Sequence, residues 1–335
     1  MTDGSLTRTD DRATAFPRHA ELARVVRSGV VESVHSGSAV ALAPDGRVVA
    51  VVGEPQAVML PRSALKPVQV AAMLHAGLRL DPELVALAAA SHSGERFHRD
   101  GVRRLLALGP LPVEALRNTP DLPLDDVERA AWAAAGRAPS SLAQNCSGKH
   151  AAMLLTCREN GWPTDGYLDP AHPLQRHLAE TVGELAGEPV QVSAVDGCGA
   201  PAFGISLAGL ARAFAVLALA DPATPEGCTA AAVRTHPLWL GGTGRPVTAL
   251  LRAVPGLVAK EGAEGVLAAA LPDGGAVAVK VGDGAARPLL PVAVELLRRL
   301  GAGGEASVDA ALADLADVPV LGHGRPVGRV EVTGV

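Results

Sequence analysis

The sequence predicts a mixed α/β fold in which an antiparallel-rich sheet, built from the N- and C-terminal segments, stands beside an all-helical lobe. Three observations carry this expectation. β-Branched residues crowd residues 22–53 and return at 265–282 and 328–332, the middle of the chain alternates apolar helical stretches with polar turns, and no repeat or long linker divides it. Strands at both ends with helices between them fit one sheet that closes the two termini against each other.

Taken in order, residues 1–21 are polar, carry mixed charge and lack an apolar run, so they are expected to form a disordered tail and not a secretory leader. Residues 22–335 are expected to form a single catalytic domain. Val30, Val31, Val34 and Ala39 to Leu42 lead into the turn Pro44-Asp45-Gly46, after which Val48 to Val52 return as a hairpin. A helix is predicted over residues 66–78, with Pro67 tolerated in its first turn and Gly77 as its stop. A second, opened by Asp81-Pro82, runs to Ala90. Further helices are expected at 151–157, 173–187, 202–220 and 292–300. Strands are expected at 190–195, in a second hairpin around Pro272-Asp273-Gly274-Gly275, and at 328–332. The Gly241-Gly242-Thr243-Gly244 run lacks a following Gly-Lys-Ser/Thr, so it reads as a flexible turn and not a phosphate loop.

Composition excludes several functions. A formal net charge of -5 with eight aromatic residues offers neither a basic track nor a stacking platform for nucleic acid. The most membrane-like run, residues 202–220, is interrupted by Arg212 and reads as a buried helix. The four cysteines, Cys146, Cys157, Cys198 and Cys228, contain no Cys-x-x-Cys, so reduced thiols and a cytoplasmic setting are expected.

Chemistry concentrates in short segments. Ser63 and Lys66 have the Ser-x-x-Lys spacing, which on a helix puts hydroxyl and amine on one face. Serine needs a base to become a nucleophile, and lysine serves only when its pKa is pulled down. Of 30 basic residues only Lys66, Lys149, Lys260 and Lys280 are lysine. A chain that uses arginine for simple charge keeps lysine where an amine must lose its proton. Ser91-His92-Ser93-Gly94-Glu95 carries two hydroxyls and a histidine beyond what capping requires. Asn145-Cys146-Ser147-Gly148-Lys149-His150 opens a helix, where the dipole disfavours a cation, so Lys149 is expected to be neutral or partnered. Asp196-Gly197-Cys198-Gly199 is a tight turn around one thiol, whose backbone N–H groups could face a substrate. Glu95 and Asp283 read equally as caps or as holders of a lysine or a substrate amine. His35, His75, His172, His177 and His236 read as ordinary surface or core histidines.

In order, Ser63-x-x-Lys66, Ser147-Gly148-Lys149 and Lys280-Val281-Gly282 are similar to the three motifs of serine β-lactamases and penicillin-binding proteins. Gly148-Lys149 replaces Asp-Asn, however, and Val281 replaces Thr. Arg62 to Pro67, Ala90 to Glu95, Asn145 to Ala151, Asp196 to Pro201 and Lys280 to Gly284 together resemble the rhizobial-type, thermolabile L-asparaginase II family. That resemblance implies a serine-β-lactamase-like fold, hydrolysis of L-asparagine to L-aspartate and ammonia, and a homodimer. It also implies two Ser-Lys pairs, Ser63 with Lys66 and a second serine with Lys280; Ser91 matches that serine best and Ser93 competes. Zinc held by Cys146, Lys149 and Cys198 is implied as well. Arg62, His92, Ser93, Glu95, His150, Asp196 and Gly197 are the expected substrate-side residues. A glutaminase or other amidase on the same fold, or a non-catalytic zinc protein, are the alternatives.

Overall fold

A computed structural model describes residues 17–335. The tail expected over residues 1–21 lies outside the described residues as far as residue 16, and the first strand begins at Ala20.

Four strands open the chain: β1 (Ala20–Arg27), β2 (Val30–Leu42), β3 (Val48–Val52) and β4 (Val58–Met59). The expected hairpin joins β2 to β3, and Gly46 at φ 80° supplies the left-handed position its turn requires. A single 3-10 turn, Arg62–Leu65, leads into α1 (Lys66–His75). The helical lobe continues with α2 (Pro82–Ala88), α3 (Arg96–Leu108), α4 (Asp126–Ala134), α5 (Ser147–Glu159) and α6 (Pro173–Ala186). Then follow β5 (Val192–Val195), β6 (Pro201–Ser206), α7 (Leu207–Leu219), α8 (Pro225–Thr235), α9 (Pro237–Leu240) and α10 (Pro246–Ala253). The closing segment holds β7 (Val258–Gly262), β8 (Val266–Ala270), β9 (Ala276–Val281), α11 (Leu289–Arg299), α12 (Ala306–Ala316), β10 (Pro319–Gly322) and β11 (Arg325–Val332).

The main sheet runs β10-β11-β1-β2-β9-β8-β7, with β3 also paired to β2, and every pairing is antiparallel. N-terminal and C-terminal strands therefore interleave, and the helical lobe stands apart, which is the serine-β-lactamase-like arrangement expected. All of β8 and five of the six residues of β9 are buried, and α7 and α11 both pack on β9. Continuous burial of this kind is what a sheet covered on both faces requires.

The apolar run at 202–220 is not one helix. Ser206 divides it, ending β6 and capping α7 through its hydroxyl, which accepts from the Gly209 N–H at 2.9 Å. The β6 half completes a small sheet, β4-β6-β5. Among the described residues no helix is long and apolar enough to cross a membrane.

Candidate active site

Three parts of the chain meet at Ser91: the start of α1, the segment after α2, and strand β7. The Lys66 side chain is buried and its Nζ donates to Ala90 O at 2.6 Å, Ser91 Oγ at 3.1 Å and Cys146 Sγ at 3.1 Å. Lys260 comes from β7, which packs beside the 3-10 turn so closely that a Cβ on Gly262 would lie 2.4 Å from Pro61 O. Its Nζ, with the side chain fully buried, is 3.1 Å from the same Ser91 Oγ, 2.7 Å from Glu261 O and 3.4 Å from Glu261 Oε1. Burial brings the Lys260 amine down to about 8, with the neighbouring Lys66 acting in the same direction and Glu261 opposing it.

Lys280 is not in this cluster. Its Nζ binds the backbone carbonyls of Glu264 and Val281, so the expected pairing of Lys280 with Ser91 is corrected: Lys260 stands there. Sequence reasoning passed over Lys260 because it belongs to no local motif. The available signal was its rarity, as one of four lysines, together with its place in a buried strand. Ser93 does not compete with Ser91, since its hydroxyl and its N–H both go to Gly241 O. Ser63 lies half-buried in the 3-10 turn, one residue after Arg62 at φ 53°, a left-handed conformation that costs a non-glycine residue energy and collects at functional sites. Among the described residues the Ser63 hydroxyl has no hydrogen-bond partner, and Lys66 reaches Ser91 instead.

His92 is completely buried and both of its ring nitrogens are used within the protein. Nδ1 accepts from the Gly94 N–H at 3.1 Å, which places the proton on Nε2 to donate to Ser147 Oγ at 2.8 Å; Ser147 in turn donates to Leu142 O at 3.0 Å. Burial holds this imidazole neutral, far below its usual range, and the nearby His98 adds to the effect. His92 therefore joins the Ser91 segment to the Cys146 loop and has no free nitrogen for a substrate. Glu95 accepts from the N–H and hydroxyl of Thr243, so the glycine-rich turn is docked on the Ser91 segment. A Cβ on Gly242 would sit 2.2 Å from Ser93 Oγ, which explains the glycine there.

On the other side of Lys66, α5 brings up Cys146, Lys149 and His150. Gly148 makes this approach possible, since a Cβ there would lie 2.3 Å from Leu87 O in α2. Cys146 and Cys198 are buried; Cys146 Sγ donates to Asn145 Oδ1 at 3.0 Å, and Lys149 Nζ lies 3.4 Å from Cys198 Sγ. The neighbouring Cys146, with Lys149 nearby, lowers the Cys198 thiol to about 5, whereas the neighbouring Cys198 and burial push Cys146 up to about 12. Burial works to lower Lys149, but the two sulfurs and Asp196 hold it above its ordinary value. Lys149 is thus partnered and not neutral. Asp196 pairs with Arg62 at 2.7 Å; burial opposes its ionisation, but Lys149 and Arg62 outweigh it and hold its carboxyl low. Thr119 donates to Gly197 O and fastens the turn before Cys198. His150 Nδ1 lies 2.8 Å from Tyr167 Oη, and its Nε2 is buried without a partner among the described residues.

Two sulfurs and an amine converging in a buried site fit zinc in donor chemistry, because thiolates suit that metal. The Lys149 ammonium now sits beside the sulfur that the metal would take, so this set binds zinc only by releasing the ammonium proton.

Two lysine amines, Lys66 and Lys260, thus converge on one buried hydroxyl at the edge of the helical lobe, and a family match places the chain among hydrolases of the amidohydrolase type. Residues 23–332 match the model of the L-asparaginase II family, and the chain belongs to that family. Among curated proteins none matches its sequence. Similar solved structures include Mglu in its tris and glutamate form, at 17% identity and TM-score 0.43, covering 88% of this chain and 66% of that one. A second structure of Mglu has 17% identity and TM-score 0.44, covering 88% and 75%. A β-lactamase from Mycobacterium bovis has 17% identity and TM-score 0.42, covering 84% and 95%.

Proposed function

We propose that this protein is an L-asparaginase that hydrolyses L-asparagine to L-aspartate and ammonia through an acyl-enzyme. The observation that carries the reading is the hydrogen-bonded chain Lys66–Ser91–Lys260, which ends on an amine brought down to about 8. Lys66 has three acceptors around Nζ, as an ammonium needs, while a neutral Lys260 can accept from the Ser91 hydroxyl.

Passing one proton from Lys66 through Ser91 to Lys260 leaves Lys66 neutral and Lys260 charged beside Glu261. Neutral Lys66 then takes the proton of Ser63 as that oxygen attacks the side-chain amide carbon, and later returns it to the departing ammonia. Water releases aspartate from the Ser63 ester. Ser63 is assigned as the nucleophile because it is more exposed than Ser91 and its hydroxyl is uncommitted. Direct attack by Ser91 is the second reading, favoured by its two amine contacts.

Cys146, Lys149 and Cys198 would hold zinc, which when bound supplies a fixed positive charge to organise the two cysteine segments. Arg62 and Asp196 flank the same region and are assigned to substrate orientation. The four free cysteines support a reducing, cytoplasmic setting, and family membership supports a homodimer.

Ammonia release from L-asparagine and L-glutamine, measured side by side, tests the substrate. Mass spectrometry of the trapped acyl-enzyme tests the nucleophile: a label on the Ser63 peptide is expected, and a label on Ser91 would reassign it. No turnover of either amide by zinc-loaded protein would remove the asparaginase reading.

A further inference from the structure

Lys260 can take a proton only if no neighbouring carboxylate already fixes one on it. Glu261, the next residue on β7, places Oε1 3.4 Å from the Lys260 Nζ. An opposite charge within about 4–6 Å favours the ionised form, so an unshared carboxylate here would keep the amine charged. The carboxylate is shared, however. The same Oε1 accepts from Arg245 Nη2 at 3.2 Å, and Oε2 has no hydrogen-bond partner among the described residues. Lys260 and Arg245 therefore compete for one oxygen of one carboxylate.

Arg245 is held in place from two sides. It immediately precedes α10, which packs on β7, and it follows the glycine-rich turn. In that turn Thr243 is bound to Glu95, and the Gly241 carbonyl takes the Ser93 N–H at 2.8 Å and its hydroxyl at 3.1 Å. A Cβ on Gly241 would lie 3.3 Å from the Arg245 Cβ. The contacts thus close a ring from the Ser91–Ser93 segment through Gly241, Arg245, Glu261 and Lys260 back to Ser91. With side chains 25% and 20% exposed, Arg245 and Glu261 are mostly out of water, where charges are screened little. The charged groups acting on Lys260 are Glu261 from its own strand, Lys66 from α1 and Arg245. Burial is the largest influence on the amine; Glu261 raises it, and Lys66 and Arg245 lower it.

We propose that Arg245 is a positioning residue for the proton chain: by holding the Glu261 carboxylate it leaves Lys260 free to receive the Ser91 proton, after which the same carboxylate balances the new ammonium. Glu261 without Arg245 would fix a proton on Lys260 and block transfer from Lys66 through Ser91. This deepens the asparaginase reading and rests on its proton chain.

Titration of the full-length protein, labelled with carbon-13 at lysine Cε, tests it by nuclear magnetic resonance. The chain has four lysines, and Lys260→Met identifies the signal that reports Lys260. Arg245→Met is expected to raise the Lys260 midpoint by at least about one pH unit, and the limb of kcat/KM should move with it. Arg245→Lys, which can make the same single contact, should return the midpoint toward its original position. The isosteric Glu261→Gln should lower it, and Arg245→Met should shift it little when combined with Glu261→Gln, because Arg245 acts through that carboxylate. A midpoint that stays or falls in Arg245→Met, or an equal shift with and without Glu261→Gln, would overturn the proposal. Should Arg245→Met fail to fold, a midpoint that stays or rises in Glu261→Gln would overturn it as well. The titration needs no substrate, so absence of asparagine turnover would remove the asparaginase reading and leave this result standing.

Discussion

Lys260 Nζ and Ser91 Oγ lie 3.1 Å apart although 169 positions separate them in the chain. The strand that carries Lys260 packs against the turn that carries Ser63, and the segment after α2 sets Ser91 between Lys66 and Lys260. An amine held this way answers a demand that arginine cannot meet, because guanidinium does not give up its proton.

Lys260→Ala should therefore lower kcat for asparagine by about 10²–10⁴-fold, the usual contribution of a positioned acid–base group. Lys260→Arg should not restore it. Steady-state ammonia release checks both, and near-normal turnover by Lys260→Ala would remove Lys260 from the mechanism.

Much of this site was legible in the sequence because its parts are local. Ser63 and Lys66 sit within one helical turn, and Cys146 and Lys149 at the start of α5, so short spacing puts each pair in one region, although Lys66 Nζ turns to Ser91 and Cys146, and Lys149 Nζ to Cys198. Lys260 was hidden because its role depends on strand pairing across the whole chain, and Lys280 attracted the assignment through the glycine turn that follows it. The main sheet was readable from its β-branched ends. The small β4-β6-β5 sheet was not, since β4 has only two residues and only one polar residue, Ser206, separates apolar β6 from apolar α7.

His92 should act by position. His92→Ala leaves the Gly94 N–H without its acceptor in a buried setting, a loss of about 1–3 kcal/mol in stability by chemical denaturation. It should also lower kcat with little change in KM, because the ring has no nitrogen left for a substrate. His92→Gln, which can still donate toward Ser147, should recover part of kcat. A selective rise in KM would instead place His92 on the substrate.

Gly148→Ala should separate α5 from α2. Its new Cβ would meet the Leu87 carbonyl at 2.3 Å, and backbone cannot swing aside as a side chain can. A cost of about 1–3 kcal/mol is expected from overpacking. Displacing Cys146 and Lys149 should also reduce zinc uptake, measured by elemental analysis of zinc-loaded protein. Unchanged stability and zinc content would show that the two helices adjust freely.

The pH dependence follows from Lys260. Burial lowers its amine to about 8 in the folded chain, against about 10.4 for an unperturbed lysine. Between those values the unfolded chain binds the extra proton, so stability rises with pH there. The unfavourable contribution is complete below about 8 and relieved toward 10.4. Because a neutral Lys260 starts the proton chain, kcat/KM should climb through the same region near pH 8. Lys260→Met should flatten that limb of the profile and remove the associated stability slope. A limb that survives the substitution would assign the titration to another group and leave Lys260 protonated during catalysis.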